Sequence, residues 1–101
     1  MLGVDIVNLP EFEIKLKSLS LEKVFLSNEL FQNKSSESLA GIFAAKEAFF
    51  KAIGGKKDWL DVWVEKTEKG KPILKSMLIK SQKAELSISH AGDYVIAVVA
   101  L

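Results

Sequence analysis

At 101 residues the chain is one domain with a single core, and its modest buried fraction makes association with further copies advantageous. Fourteen lysines against thirteen acids leave a net charge of +1, which excludes the sustained field that draws nucleic acid or an anionic membrane. No cysteine is present, so disulfides, thiolate metal sites and thiol catalysis are excluded. No arginine is present either, so any anion must be held by ammonium groups, backbone amides or a metal ion.

The first segment, Leu2 to Leu9, alternates Leu2, Val4 and Ile6 with Gly3, Asp5 and Val7, which predicts a strand interrupted by one carboxylate. The N-terminus has no basic region followed by a signal-length apolar run, and no later stretch of eighteen apolar residues occurs. A cytoplasmic chain without a membrane partner is therefore expected. Pro10 can open a short amphipathic helix with Phe12, Ile14, Leu16 and Leu19 inward. A second short helix follows at Leu21 to Phe25, and Ser27 can cap a further turn that packs Leu30 and Phe31.

A polar loop, Asn33 to Ser38, leads into the main helix, which runs from about Ser36 to Ile53 and stops at Gly54-Gly55. From Trp59 the period changes to two: Leu60, Val62 and Val64 alternate with Asp61, Trp63 and Glu65. The polar turn Glu68 to Pro72 then predicts a return strand over Pro72 to Ile79. Further strands are expected at Ala84 to His90 and Tyr94 to Leu101, joined by Ala91-Gly-Asp93. The last is apolar on both faces and so should be central or doubly covered. Helices first and strands after them predict an α+β fold with a long central helix on an antiparallel sheet.

The main helix is apolar or small nearly all round, yet it carries Lys46, Glu47 and Lys51. Leu39, Ile42, Phe43, Phe49, Phe50 and Ile53 share one arc, while Ala40, Gly41, Ala44, Ala45, Ala48 and Ala52 lie mostly on the remainder, a face that something can approach closely. Glu47 and Lys51 project from the border between the two, as a pocket wall or as an ordinary i,i+4 pair worth roughly 0.2–0.5 kcal/mol. Lys46 lies at the centre of the apolar arc, where its stem can snorkel and bring the ammonium to the rim. Asp5 can serve a site or satisfy backbone donors. His90, at the end of a core-facing strand, is more often structural than a ligand. Two carboxylates, several lysines and one histidine favour a hard, oxygen-ligated cation over covalent catalysis.

Three segments, Gly3-Val-Asp-Ile-Val7, Phe43-Ala-Ala-Lys-Glu-Ala-Phe-Phe-Lys-Ala52 and Ser87-Ile-Ser-His90, together resemble the holo-acyl-carrier-protein synthase family of 4′-phosphopantetheinyl transferases. The resemblance includes Phe25-Leu-Ser-Asn-Glu-Leu30 and Gly70-Lys-Pro72 and spans nearly the whole chain. It implies transfer of the phosphopantetheine arm of coenzyme A to a serine of apo acyl carrier protein, with adenosine 3′,5′-bisphosphate released. It implies Asp5 and Glu47 as magnesium ligands, with Asp5, Glu47 and Lys51 catalytic and Glu47, or a metal-held water beside it, taking the serine proton. Lys46, Lys51, Gly54, Lys56, Gly70, Lys71, Pro72, Ser89 and His90 would contact coenzyme A. It also implies a homotrimer with active sites between subunits.

Two departures stand out: Ile42 replaces an arginine common among relatives, and a shortened Gly54-Gly55-Lys56 follows the main helix, which shifts phosphate duty toward Lys56 or Lys57. The first helix offers Glu11 and Glu13 with only Lys15 and Lys17 to an acidic carrier, where relatives present arginine. A silent relative that binds coenzyme A or carrier without transfer, and a structural module in which Glu47 and Lys51 are only an ion pair, are the competing readings.

Overall fold

The N-terminal alternation forms β1 (Leu2–Asn8), and the Asn8 side chain accepts the Glu11 N–H to cap α1 (Leu9–Leu16). In this computed structural model, which describes residues 1–80 and 83–101, two short helices follow, α2 (Leu21–Val24) and α3 (Ser27–Gln32). Ser27 is the first helical residue of α3 rather than its cap, because Leu26 occupies that position. The Leu26 N–H is taken by the Glu29 carboxylate at 2.9 Å.

The main helix is α4 (Ser36–Ile53), bounded as its sequence indicates. Ser35 accepts the Ser38 N–H at its start. At its end Gly54 adopts φ 86°, while the Gly54 and Gly55 N–H groups bond the Lys51 and Phe50 carbonyls, a Schellman closure. A 3₁₀ turn at Trp59–Asp61 precedes β2 (Val62–Lys66), so the period-two pattern becomes strand only from Val62. Here Asp58 accepts the Leu60 N–H and turns the chain before pairing begins. The return strand β3 (Pro72–Ser76) ends three residues early, where the Ser76 hydroxyl accepts the Leu78 N–H and curls the chain out of the ladder. Strands β4 (Glu85–Ala91) and β5 (Tyr94–Ala100) meet across Gly92-Asp93, with Gly92 at φ 56°.

The sheet order is β1-β5-β4, all antiparallel, with β2–β3 as a separate hairpin. Strand β5 is thus central, as its double apolarity predicts. Its Val95, Ala97 and Val99 are buried beneath α4, whereas Tyr94 and Ile96 on the other face are exposed beside Val4 and Ile6.

The small-residue face of α4 meets this sheet. A Cβ on Gly3 would collide with the Ala48 carbonyl oxygen and lie 2.8 Å from the Ala52 nitrogen, so β1 crosses the helix at backbone contact. Among the described residues no helix is long and apolar enough to cross a membrane.

Candidate active site

The close crossing at Gly3 determines where Asp5 lies. Gly3, Asp5 and Val7 share the face of β1 turned toward α4, and Asp5 is only partly exposed there. It lines an open cleft of about 280 Å³ with Glu47 and Phe43 of α4 and with Asn8, Glu11, Phe12 and Lys15. The pair seen in the sequence is rearranged. Lys51 donates to Asp5 Oδ1 at 3.1 Å and to the Val4 carbonyl at 3.0 Å. Glu47 faces Lys56 Nζ at 3.8 Å, and Lys56 in turn sits 4.2 Å above the centre of the Trp59 ring. Among the described residues, then, the i,i+4 pair Glu47–Lys51 is not formed.

This donor set fits magnesium in one particular way. Asp5 and Glu47 offer hard carboxylate oxygens from two rigid elements, but among the described residues no three acids, histidines or cysteines converge to cage a metal. Magnesium is commonly held by one or two carboxylates with substrate phosphates and water completing its octahedron. The flanking ammoniums of Lys51 and Lys56, each more than half exposed, complement a polyanion arriving with such a cation.

The other candidate residues are dispersed. His90 lies in register with Val95 of β5 and hence with Val7 of β1, so two strand spacings, about 10 Å, separate it from β1. It lines a second depression of about 210 Å³ with Lys66, Pro72, Ser38, Asn33 and Ile42, and its Nδ1 is 3.9 Å from Glu37. Gly70 and Lys71 are exposed at the tip of the β2–β3 hairpin, adjoining Pro72. Ser89 is exposed on the opposite face of β4 from His90. Gly54 acts through backbone geometry, turning the chain so that Lys56 returns toward Glu47.

Lys46 is a correction. Its ammonium does not snorkel to a rim but is fully buried, and its three N–H groups donate to Val24 O at 2.7 Å, Glu29 Oε1 at 2.8 Å and Trp59 O at 3.1 Å. Burial pushes its pKa below 10.5, and the Glu29 hydrogen bond and charge push back. No donor is left for coenzyme A.

Glu29 is the residue that sequence reasoning missed. A lysine at the centre of an apolar helical arc calls for a buried acid, and Glu29, in the segment that also carries inward Leu30, was the available signal. Glu11 and Lys15, which the sequence marks only as a carrier-facing surface, also line the cleft.

A long helix laid over an antiparallel sheet, with two carboxylates and two lysines around an open cleft, defines a class, and the family comparison names it. The model of the 4′-phosphopantetheinyl transferase superfamily matches residues 1–99, and the chain belongs to that superfamily. Its relatives there are holo-[acyl-carrier-protein] synthases, and it is an enzyme of that type. It is 36% identical to the synthase of Nautilia profundicola over 100% of this chain and 98% of the relative, and 40% identical to that of Campylobacter fetus over 98% and 96%. The solved Helicobacter pylori synthase in complex with coenzyme A superposes with a TM-score of 0.89 at 32% identity, covering 98% of this chain and 97% of the other.

Proposed function

We propose that this chain transfers the 4′-phosphopantetheine group of coenzyme A to a serine of apo acyl carrier protein in a magnesium-dependent reaction, giving holo carrier protein and adenosine 3′,5′-bisphosphate. The observation that carries the reading is the placement of Asp5 and Glu47 in one open cleft with Lys51 and Lys56 at its border. The cytoplasm is the compartment in which coenzyme A and a carrier protein would meet it.

Asp5 and Glu47 would hold the magnesium ion. When bound, it supplies charge neutralisation at the pyrophosphate and a fixed orientation for the reacting phosphoryl group. Lys51 releases Asp5 and turns to the phosphate oxygens, and Lys56 binds a coenzyme A phosphate in the ground state and the transition state alike. Glu47 accepts the serine proton as the serine oxygen attacks the β-phosphorus and the bond to the leaving phosphate breaks. Glu47→Gln retaining normal turnover would remove it from that role.

His90, Ser89 and the Gly70-Lys71-Pro72 turn would hold the nucleotide end of coenzyme A. Because His90 and Pro72 line a depression separate from the carboxylate cleft, one ligand reaches both sets most simply when they come from neighbouring copies. A homotrimer built on the exposed apolar sheet face supplies that arrangement. Incubation with coenzyme A, magnesium and apo carrier, followed by intact-mass measurement of the carrier, tests the reading. A mass gain by one phosphopantetheine that disappears with a chelator is expected. Coenzyme A binding without any gain would instead identify a silent relative.

A further inference from the structure

The Lys46–Glu29 pair is fully satisfied. Glu29 Oε1 accepts from Lys46 and from the Leu26 N–H, and Oε2 accepts the Val64 N–H at 2.8 Å. Both side chains are almost wholly shielded from solvent. A buried ion pair is a weak source of stability compared with apolar residues of equal volume, whereas a completed polar network fixes geometry. The geometry fixed here is specific. The ammonium of Lys46, one residue before Glu47, clamps the Trp59 carbonyl, which closes the loop carrying Lys56. The Trp59 ring is held between Phe43 at 4.9 Å and Phe50 at 5.5 Å and forms the shelf beneath Lys56. The carboxylate of Glu29 meanwhile takes the outward N–H of β2, tying the hairpin that bears Gly70 and Pro72 to the same point.

We propose that Lys46 and Glu29 are positioning residues, which hold the Trp59 shelf and the β2–β3 hairpin against α4 so that Lys56 stands opposite Glu47 where a coenzyme A phosphate is received. The inference rests on the coenzyme A reading above, and Lys46 touches no substrate. A merely structural pair would change stability and leave kinetics alone.

The test is steady-state kinetics on the full-length chain, with the wild type run alongside. Lys46→Met/Glu29→Gln removes both charges and leaves one carboxamide oxygen for the backbone donors. At a temperature where it is folded by circular dichroism, its KM for coenzyme A is expected to rise about tenfold while kcat changes by less than about threefold. Lys56→Ala should raise KM comparably in the wild type and add little in that background, because the two changes act on one contact. An unaltered KM, or an undiminished Lys56→Ala effect in the double variant, overturns the proposal. Should the double variant not fold, Trp59→Phe keeps the carbonyl for Lys46 but shrinks the shelf, and an unchanged KM there overturns it equally. Absence of transfer by the wild type would defeat the functional reading as well, so the two failures are distinguishable.

Discussion

Glu47 and Lys51 stand one helical turn apart in the order that makes ordinary surface pairs, yet each faces a different partner, Lys56 and Asp5. That divergence keeps both carboxylates turned to the cleft and makes them replaceable without opening the core. Asp5→Asn and Glu47→Gln are each expected to lower kcat/KM by about 10²-fold or more, as loss of a preorganised charge does, with thermal midpoints close to wild type. Coupled kinetic and calorimetric measurement on each variant checks this. Lys46→Ala should act on stability as well as on KM. It strands the buried Glu29 carboxylate and is expected to destabilise the fold by about 3–5 kcal/mol, read from urea unfolding. Sequence pattern singled out Asp5, Glu47 and Lys51 as charges on apolar segments but left site and structural roles open, and the resemblance gave them their roles. The pattern misplaced Lys46 because a helical wheel gives the direction of a side chain but not the depth of what covers it. The covering here comes from Val24, Glu29 and Trp59, residues 13 to 22 positions away.

At the scale of elements, the bounds of α4 were legible and its partner was not. Ser35 and Gly54 are local signals, readable from single residues, whereas the occupant of the alanine face is a tertiary fact. That face receives the backbone of β1 at Gly3. Gly3→Ala is therefore expected to be severe, at the upper end of the ~1–3 kcal/mol typical of overpacking. Neither neighbour atom is a movable side-chain end, so β1 must retreat and carry Asp5 with it. Activity should fall further than stability does, which kinetics at a temperature of full folding would show. The helix terminus gives a cleaner comparison, since Gly54 and Gly55 both have open space around them but only Gly54 has positive φ. Gly54→Ala should destabilise by about 1 kcal/mol and Gly55→Ala by much less, a difference visible as a shift of the thermal midpoint in one variant alone.

At the scale of the whole molecule, the α+β architecture and the central place of β5 followed from the order of helical and alternating segments. The split of the site residues into two groups did not, because period-two patterning assigns a residue to a face and says nothing of which strand lies between. Asp5 and His90 belong to strands on opposite edges of one sheet, with β5 between them. The sheet face away from α4 exposes Leu2, Val4, Ile6, Tyr94 and Ile96, an apolar surface consistent with copies of the chain meeting there. If each working site takes its carboxylates from one copy and His90 from the next, two inactive variants must rescue each other. Asp5→Ala chains retain His90, and His90→Ala chains retain Asp5 and Glu47, so a mixed assembly contains junctions with both halves intact. Random mixing in equal amounts makes such junctions about one quarter of the total, provided closed rings form and subunits exchange. Co-refolding the two variants and measuring carrier modification should therefore recover up to about a quarter of wild-type activity, while each alone stays far below it. No recovery from an assembly shown by mass spectrometry to contain both chains would place the whole site within one copy.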